Sequence, residues 1–127
     1  MKYVVDSDKP VAQATEDLKA AVARHGFGVL HEYDLQATLA GKGFDLANEC
    51  RILEICNPGQ AFEVLSEEMD MNIALPCRVS VYSEDGRTKL AMAKPTDLLG
   101  QLSDSPKLVD IAEEVEQKTT AMIDEAR

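Results

Sequence analysis

Residues 50–62 read CRILEICNPGQAF, and the junction inside this stretch decides the fold. Alternation from Cys50 to Cys56 sets Cys50, Ile52, Glu54 and Cys56 on one face of a strand, with Arg51, Leu53 and Ile55 on the other. Asn57 is a good helix cap, and Pro58 has no N–H to lose at the first helical position. The spacing therefore predicts a helix from about Pro58 through Glu67, with Ala61, Phe62 and Leu65 buried. A strand feeds straight into a helix, and a cysteine stands at the join.

Working outward, Val11, Ala14, Leu18, Ala21 and Val22 recur at helical spacing, and Gly26 stands where that helix would end. A strand over Tyr3 to Val5 precedes this helix and another follows over Gly28 to Tyr33. Asp34 is placed to cap a short helix carrying Leu35 and Leu39, ending at Gly41 or Gly43, and GKGFDLANE then reads as a loop free to move. Downstream, RVSVYS and TKLAMA flank SEDGR, whose Asp85 and Gly86 signal an antiparallel hairpin. From Pro106 to Arg127, Leu108, Ile111, Val115 and Met122 mark the apolar stripe of a helix that covers the sheet. This order of elements predicts a single domain over residues 1–127, a two-layer α+β fold with a mainly antiparallel sheet and helices packed on one side.

The chain of 127 residues is 45% apolar and 28% charged, which suits a folded domain with one core. Its formal charge of -10, from 23 acidic against 13 basic residues, repels phosphate backbones and anionic lipid, so neither nucleic acid nor membrane is an expected partner. MKYVVDSDKP lacks the apolar segment of a signal peptide, and no run approaches a membrane span. The expectation is a cytoplasmic protein with Cys50, Cys56 and Cys77 as free thiols, odd in number and without CxxC spacing.

Chemistry is expected where the thiols are. Cys56 precedes a helix start, where backbone N–H groups and the helix dipole favour a thiolate; the competing reading is a small buried hydrophobe turning a corner. Cys77 follows Pro76 at a strand entrance, expected at a sheet edge or bend, and approaches Cys56 if its strand lies beside CRILEIC. The two could then form a redox pair, share a soft metal or merely pack. Glu54 shares a face with Cys56 in an otherwise apolar strand, as a proton acceptor or metal ligand, or paired with Arg78 or Arg51. Cys50, Cys56, Cys77, His25, His31 and Glu54 offer donor atoms without a recognised zinc spacing, and Met69 and Met71 add thioethers of the kind that suit copper(I), though core filling explains them as well. GKGF lacks the spacing of a phosphate loop and there is no GxSxG elbow, so no metal site is assigned and no cofactor is named by the sequence.

LEICNP followed by GQAF, then LPCRVSVY, with FGVLHEYDLQATLAGKG upstream, resembles the bacterial domain of unknown function family 302 over about Gly26 to Pro95. The resemblance implies a compact α+β domain of the TATA-binding-protein type, with a curved antiparallel sheet, helices on one face and self-association as a dimer. Its signature positions fall on Glu54, Cys56, Asn57, Pro58, Leu75, Pro76, Cys77 and Val79, and it implies no catalytic role for any of them. MDMNIA departs from the proline and glycine expected before LPC, and Cys50 is peculiar to this chain.

The expected function is a small bacterial protein that binds a small-molecule ligand, or handles sulfur or redox equivalents, at a site formed by Cys56, Cys77 and Glu54. In that scheme Cys56 is the activated thiol, Cys77 resolves or assists, and Glu54 or the GKGF loop manages protons or access. The alternatives are a noncatalytic homodimeric interaction domain and a soft-metal-binding protein.

Overall fold

In the computed structural model, which describes residues 1–127, strand β1 spans Lys2–Ser7, helix α1 Val11–Arg24, β2 Gly28–Asp34, α2 Leu35–Ala40, β3 Cys50–Cys56 and α3 Pro58–Glu67. A 3-10 helix over Met69–Ala74 leads into β4 at Cys77–Glu84. Strand β5 then spans Arg87–Ala93, α4 Pro95–Leu102 and α5 Pro106–Ala126. The five strands form one sheet in the order β1-β5-β4-β3-β2, with every neighbouring pair antiparallel.

Local chemistry explains most of the boundaries. Gly26 at φ +78 supplies the left-handed residue that ends α1. The β4–β5 turn has both central residues at positive φ, Asp85 at 54 and Gly86 at 76, as a two-residue hairpin requires. Asp34 caps α2 by accepting a hydrogen bond from the Ala37 amide at 3.0 Å, and Asn57 caps α3 by accepting from the Gln60 amide at 3.1 Å.

The pleat sorts the sheet into two faces. Val5, Leu53, Ile55, Val79, Val81, Leu90 and Met92 are buried beneath the helices together with Leu18 and Val22 of α1 and Leu108, Ile111, Val115 and Met122 of α5. Register puts Glu54 between His31 and Arg78 on the opposite, open face, with Ile52 between Tyr33 and Ser80 beside it. Phase and elements thus agree with the sequence for β3, α1 and α5.

Four expectations are corrected. Phe62 is not buried: it is 74% exposed, because α3 turns Val64 into the core, with Ala61 and Leu65 half-buried. Of the edge or bend expected at Cys77, the edge is overturned, since β4 is the middle of the five, and the bend holds, since the chain passes from the 3-10 helix through Leu75 and Pro76 into β4; Pro76 lies just outside the ladder, where it removes no bond. Regular spacing along Gly28 to Tyr33 puts His31 on one face with Val29 and Tyr33, but a bulge between Val29 and His31 inserts Leu30, so His31 and Tyr33 share the open face without Val29. Helix α4 has no counterpart in the expected elements, although Pro95 at its start and Leu98, Leu99 and Leu102 carry the signal.

Candidate cavity at the β3–α3 junction

The strand-to-helix join opens onto a cavity of about 840 Å³ between the sheet and helices α3, α4 and α5, lined by 27 residues of which 19 are hydrophobic. Cys56, Cys77, Glu54, Gln60 and Arg78 all contribute to its wall. Its volume falls in the range of ordinary small-molecule sites, and its composition, mostly apolar with a few polar groups, is also typical of them.

The two cysteines are neighbours without being opposite. Cys77 pairs across the ladder with Ile55, while Cys56 pairs on its other side with Gly28. Residues directly opposite share a face, so Cys77 stands with Ile55 on the helix-covered side. Burial pushes the Cys77 thiol up to about 11, with the nearby Cys56 sulfur adding to the shift. Cys77 is only half-buried by surface area, yet part of that surface belongs to the cavity wall, and crowding by protein atoms still disfavours the thiolate.

The helix start beside Cys56 is largely occupied already. Pro58 has no N–H, the Gln60 amide is held by the Asn57 side chain at 3.1 Å, and the Ala61 amide donates to the Asn57 carbonyl at 2.9 Å. Gly59 is left as the one amide of that turn without such a partner. The expectation of several unpaired amides facing the sulfur is therefore corrected, because the proline and the cap consume them.

Glu54 is the centre of a polar cluster on the open face. The Tyr33 hydroxyl donates to Glu54 Oε1 at 2.5 Å, which raises the tyrosine above its ordinary value because ionising it would put a second negative charge against the carboxylate. Arg78 Nε lies 3.8 Å from Glu54 Oε2, and its guanidinium carbon is 6.0 Å from the Tyr33 ring centre. His31 leans on the same ring, centroids 4.4 Å apart. Of the two arginines expected as partners, Arg78 is the one; Arg51 pairs with Glu32 at 3.0 Å and Asp34 at 3.4 Å.

Other expected donors do not converge. Cys50 starts β3 and Cys56 ends it, six steps of about 3.3 Å or roughly 20 Å apart, so a three-cysteine site is not formed. Burial and then the Asp34 charge raise the Cys50 thiol. His25 is tied to Glu125 and His31 to the Tyr33 ring. Met71 fills the core while Met69 is exposed, and no group of three or more His, Cys, Asp or Glu side chains is arranged to hold a metal ion. The GKGF segment enters β3 at its Cys50 end and contributes nothing to the cavity wall, which removes it from any gating of Cys56.

The residue that sequence reasoning missed is Gln60. Both polar atoms of its side chain are shielded and have no hydrogen-bond partner in the chain. The available signal was its place one helical turn before Val64, on the inward face of α3.

The sequence model of the family described as domain of unknown function DUF302 matches residues 3–126. The chain belongs to the DUF302 family. The match extends well beyond the stretch from Gly26 to Pro95 that carried the resemblance, because β1, α1 and α5 complete the same core. A crystal structure of an uncharacterized conserved DUF302 protein from Bacillus stearothermophilus superimposes with a TM-score of 0.94 at 37% identity, covering 99% of this chain and 98% of that one. Among curated protein sequences no match was found. The α+β fold, five antiparallel strands with helices on one side, is that of this DUF302 relative. No helix is long and apolar enough to cross a membrane.

Proposed function

We propose that this DUF302 protein binds a small, largely apolar molecule in the cavity beside the β3–α3 junction and presents the Cys56 thiol to it. The observation that carries this reading is an apolar space of about 840 Å³ whose wall includes Cys56, Cys77 and Glu54 together. The two cysteines have different roles. Cys77, raised to about 11, stays a neutral S–H at physiological pH and serves as a weak donor or packing group; the resolving thiolate of a redox pair would need the opposite shift. Glu54, held by Tyr33 and facing Arg78, keeps a charged pair at the open-face side of the site.

Handling of sulfur or redox equivalents at this site falls to Cys56 alone. The reading as a homodimeric interaction domain draws its support from exposed Phe62, Met69 and Ile73, and the soft-metal reading from isolated donors only. Alkylation under occupancy tests the preferred reading. With Cys50→Ser and Cys77→Ser in place, the rate of Cys56 alkylation by iodoacetamide is expected to fall at least about fivefold when a saturating apolar amide fills the cavity. An unchanged rate at demonstrated saturation would separate the thiol from the ligand site and reject the assignment of Cys56.

A further inference from the structure

Three large apolar side chains stand in water on two consecutive elements. Phe62 of α3 is 74% exposed, and Met69 and Ile73 of the 3-10 helix that follows are 66% and 73% exposed. Phe62 and Met69 are not part of the cavity wall, so a molecule filling the cavity would leave both uncovered. Ile73 does belong to the wall, beside Ala61 and Leu65 of α3, and α3 packs against the 3-10 helix, so the three side chains share one shoulder of the molecule at the cavity's rim. Single exposed hydrophobes need no explanation, whereas a group of them marks a surface that something covers.

The charges on this shoulder are all of one sign. Between Arg51 and Arg78 the chain carries no lysine, arginine or histidine, while α3 and the 3-10 helix with their junction present Glu63, Glu67, Glu68 and Asp70. Glu68 accepts from the Ser103 hydroxyl at 2.6 Å, and Glu67 accepts from Ser105 at 3.2 Å with Lys107 Nζ 4.0 Å away. Glu63 and Asp70 are exposed and enter no ion pair. Arg78, which closes the stretch, faces Glu54.

An apolar patch fringed by unmatched carboxylates selects its occupant by charge. A second copy in a two-fold contact would turn these same carboxylates against one another, and an anionic lipid surface would meet the same repulsion. We propose that this shoulder docks a basic amphipathic helix of another protein, whose apolar stripe covers Phe62, Met69 and Ile73 while its lysines and arginines reach Glu63 and Asp70. Helices dock on apolar surfaces through side chains at i, i+3, i+4 and i+7, and an exposed methionine adapts its shape to the stripe it meets. Docking here uses the outside of the molecule and does not depend on a ligand in the cavity.

Fluorescence anisotropy tests it with a labelled peptide of about 18 residues, leucines at helical spacing and lysines between them, against a rearranged peptide of the same composition without a stripe. The wild-type chain should bind the striped peptide about tenfold more tightly, because both peptides carry the same charge and only one can lay its leucines on the patch. Phe62→Ser with Met69→Ser should weaken the striped peptide about tenfold and abolish the difference between the two, with an unchanged urea midpoint because both side chains are exposed. Glu63→Gln with Asp70→Asn should weaken it about threefold at low salt. Phe44→Ser, which removes a phenylalanine 67% exposed in the loop before the opposite end of β3, should leave binding within about twofold. Equal affinity of the two peptides for the wild-type chain, an equal loss from Phe44→Ser, binding indifferent to either double variant, or no binding at all overturns the proposal. A dimer of the free chain in sedimentation that Phe62→Ser with Met69→Ser dissociates would assign the patch to a second copy and overturn it too.

Discussion

Leu53→Ala is expected to lower the free energy of unfolding by about 3 kcal/mol, and Ile52→Ala, one residue away, by about 1 kcal/mol or less. Leu53 is 0% exposed and lies opposite Val79 beneath the helices; Ile52 lies on the open face between Tyr33 and Ser80. Removing the Leu53 methyls leaves a void in the packed layer, whereas Ile52 gives up contacts that water partly replaces. Urea titrations of both variants measure the difference. Because a one-residue slip would exchange the two faces, a reversed order of effects would also move Glu54 off the open face and undo the site geometry.

The second large effect is chemical. With its thiol pushed up to about 11, Cys77 in the folded protein should be alkylated roughly 100-fold more slowly at neutral pH than a cysteine at the ordinary value, two pH units lower. Mass spectrometry of single-cysteine variants reads this directly, and labelling at the rate of free cysteine would contradict it. The same shift has a consequence for stability. The unfolded thiol ionises near its ordinary value while the folded one does not, so the contribution of Cys77 is complete below about pH 9 and is lost as pH rises towards 11. Tyr3, Tyr33, Lys19 and Lys89 are raised as well and add to alkaline loss, so the part removed by Cys77→Ala is the one that belongs to the thiol.

What the sequence made legible was local. The alternation of CRILEIC gave both the strand and the correct buried face, because Leu53 and Ile55 are apolar while Glu54 is not. Asn57 and Pro58 marked the start of α3, and Asp85-Gly86 the hairpin, since each of these depends on backbone preferences of a few residues. Proximity of Cys56 and Cys77 followed from supposing β3 and β4 adjacent, which they are. Sheet order is not legible in the sequence: Pro76 before Cys77 fits an edge or a bend equally, and only the strand order shows that β4 is central and the proline marks a bend. Helical spacing puts Phe62 on one face with Ala61 and Leu65, but spacing does not fix the rotation of a short helix, and α3 turns Val64 inward and leaves Phe62 exposed. Gln60 is illegible for the complementary reason: a polar residue on an inward face is visible only once the packing around it is known.

Backbone amide NMR of the labelled protein during titration with decanamide tests the central claim, that the apolar space at the β3–α3 junction is a ligand site, more directly than any variant. Saturable shifts should gather at Ile55, Gln60, Val64 and Leu99, residues of three different elements that share only this cavity wall. Shifts that never saturate, or that gather instead around Ile52, Ser80 and Tyr82 on the open face, would contradict it.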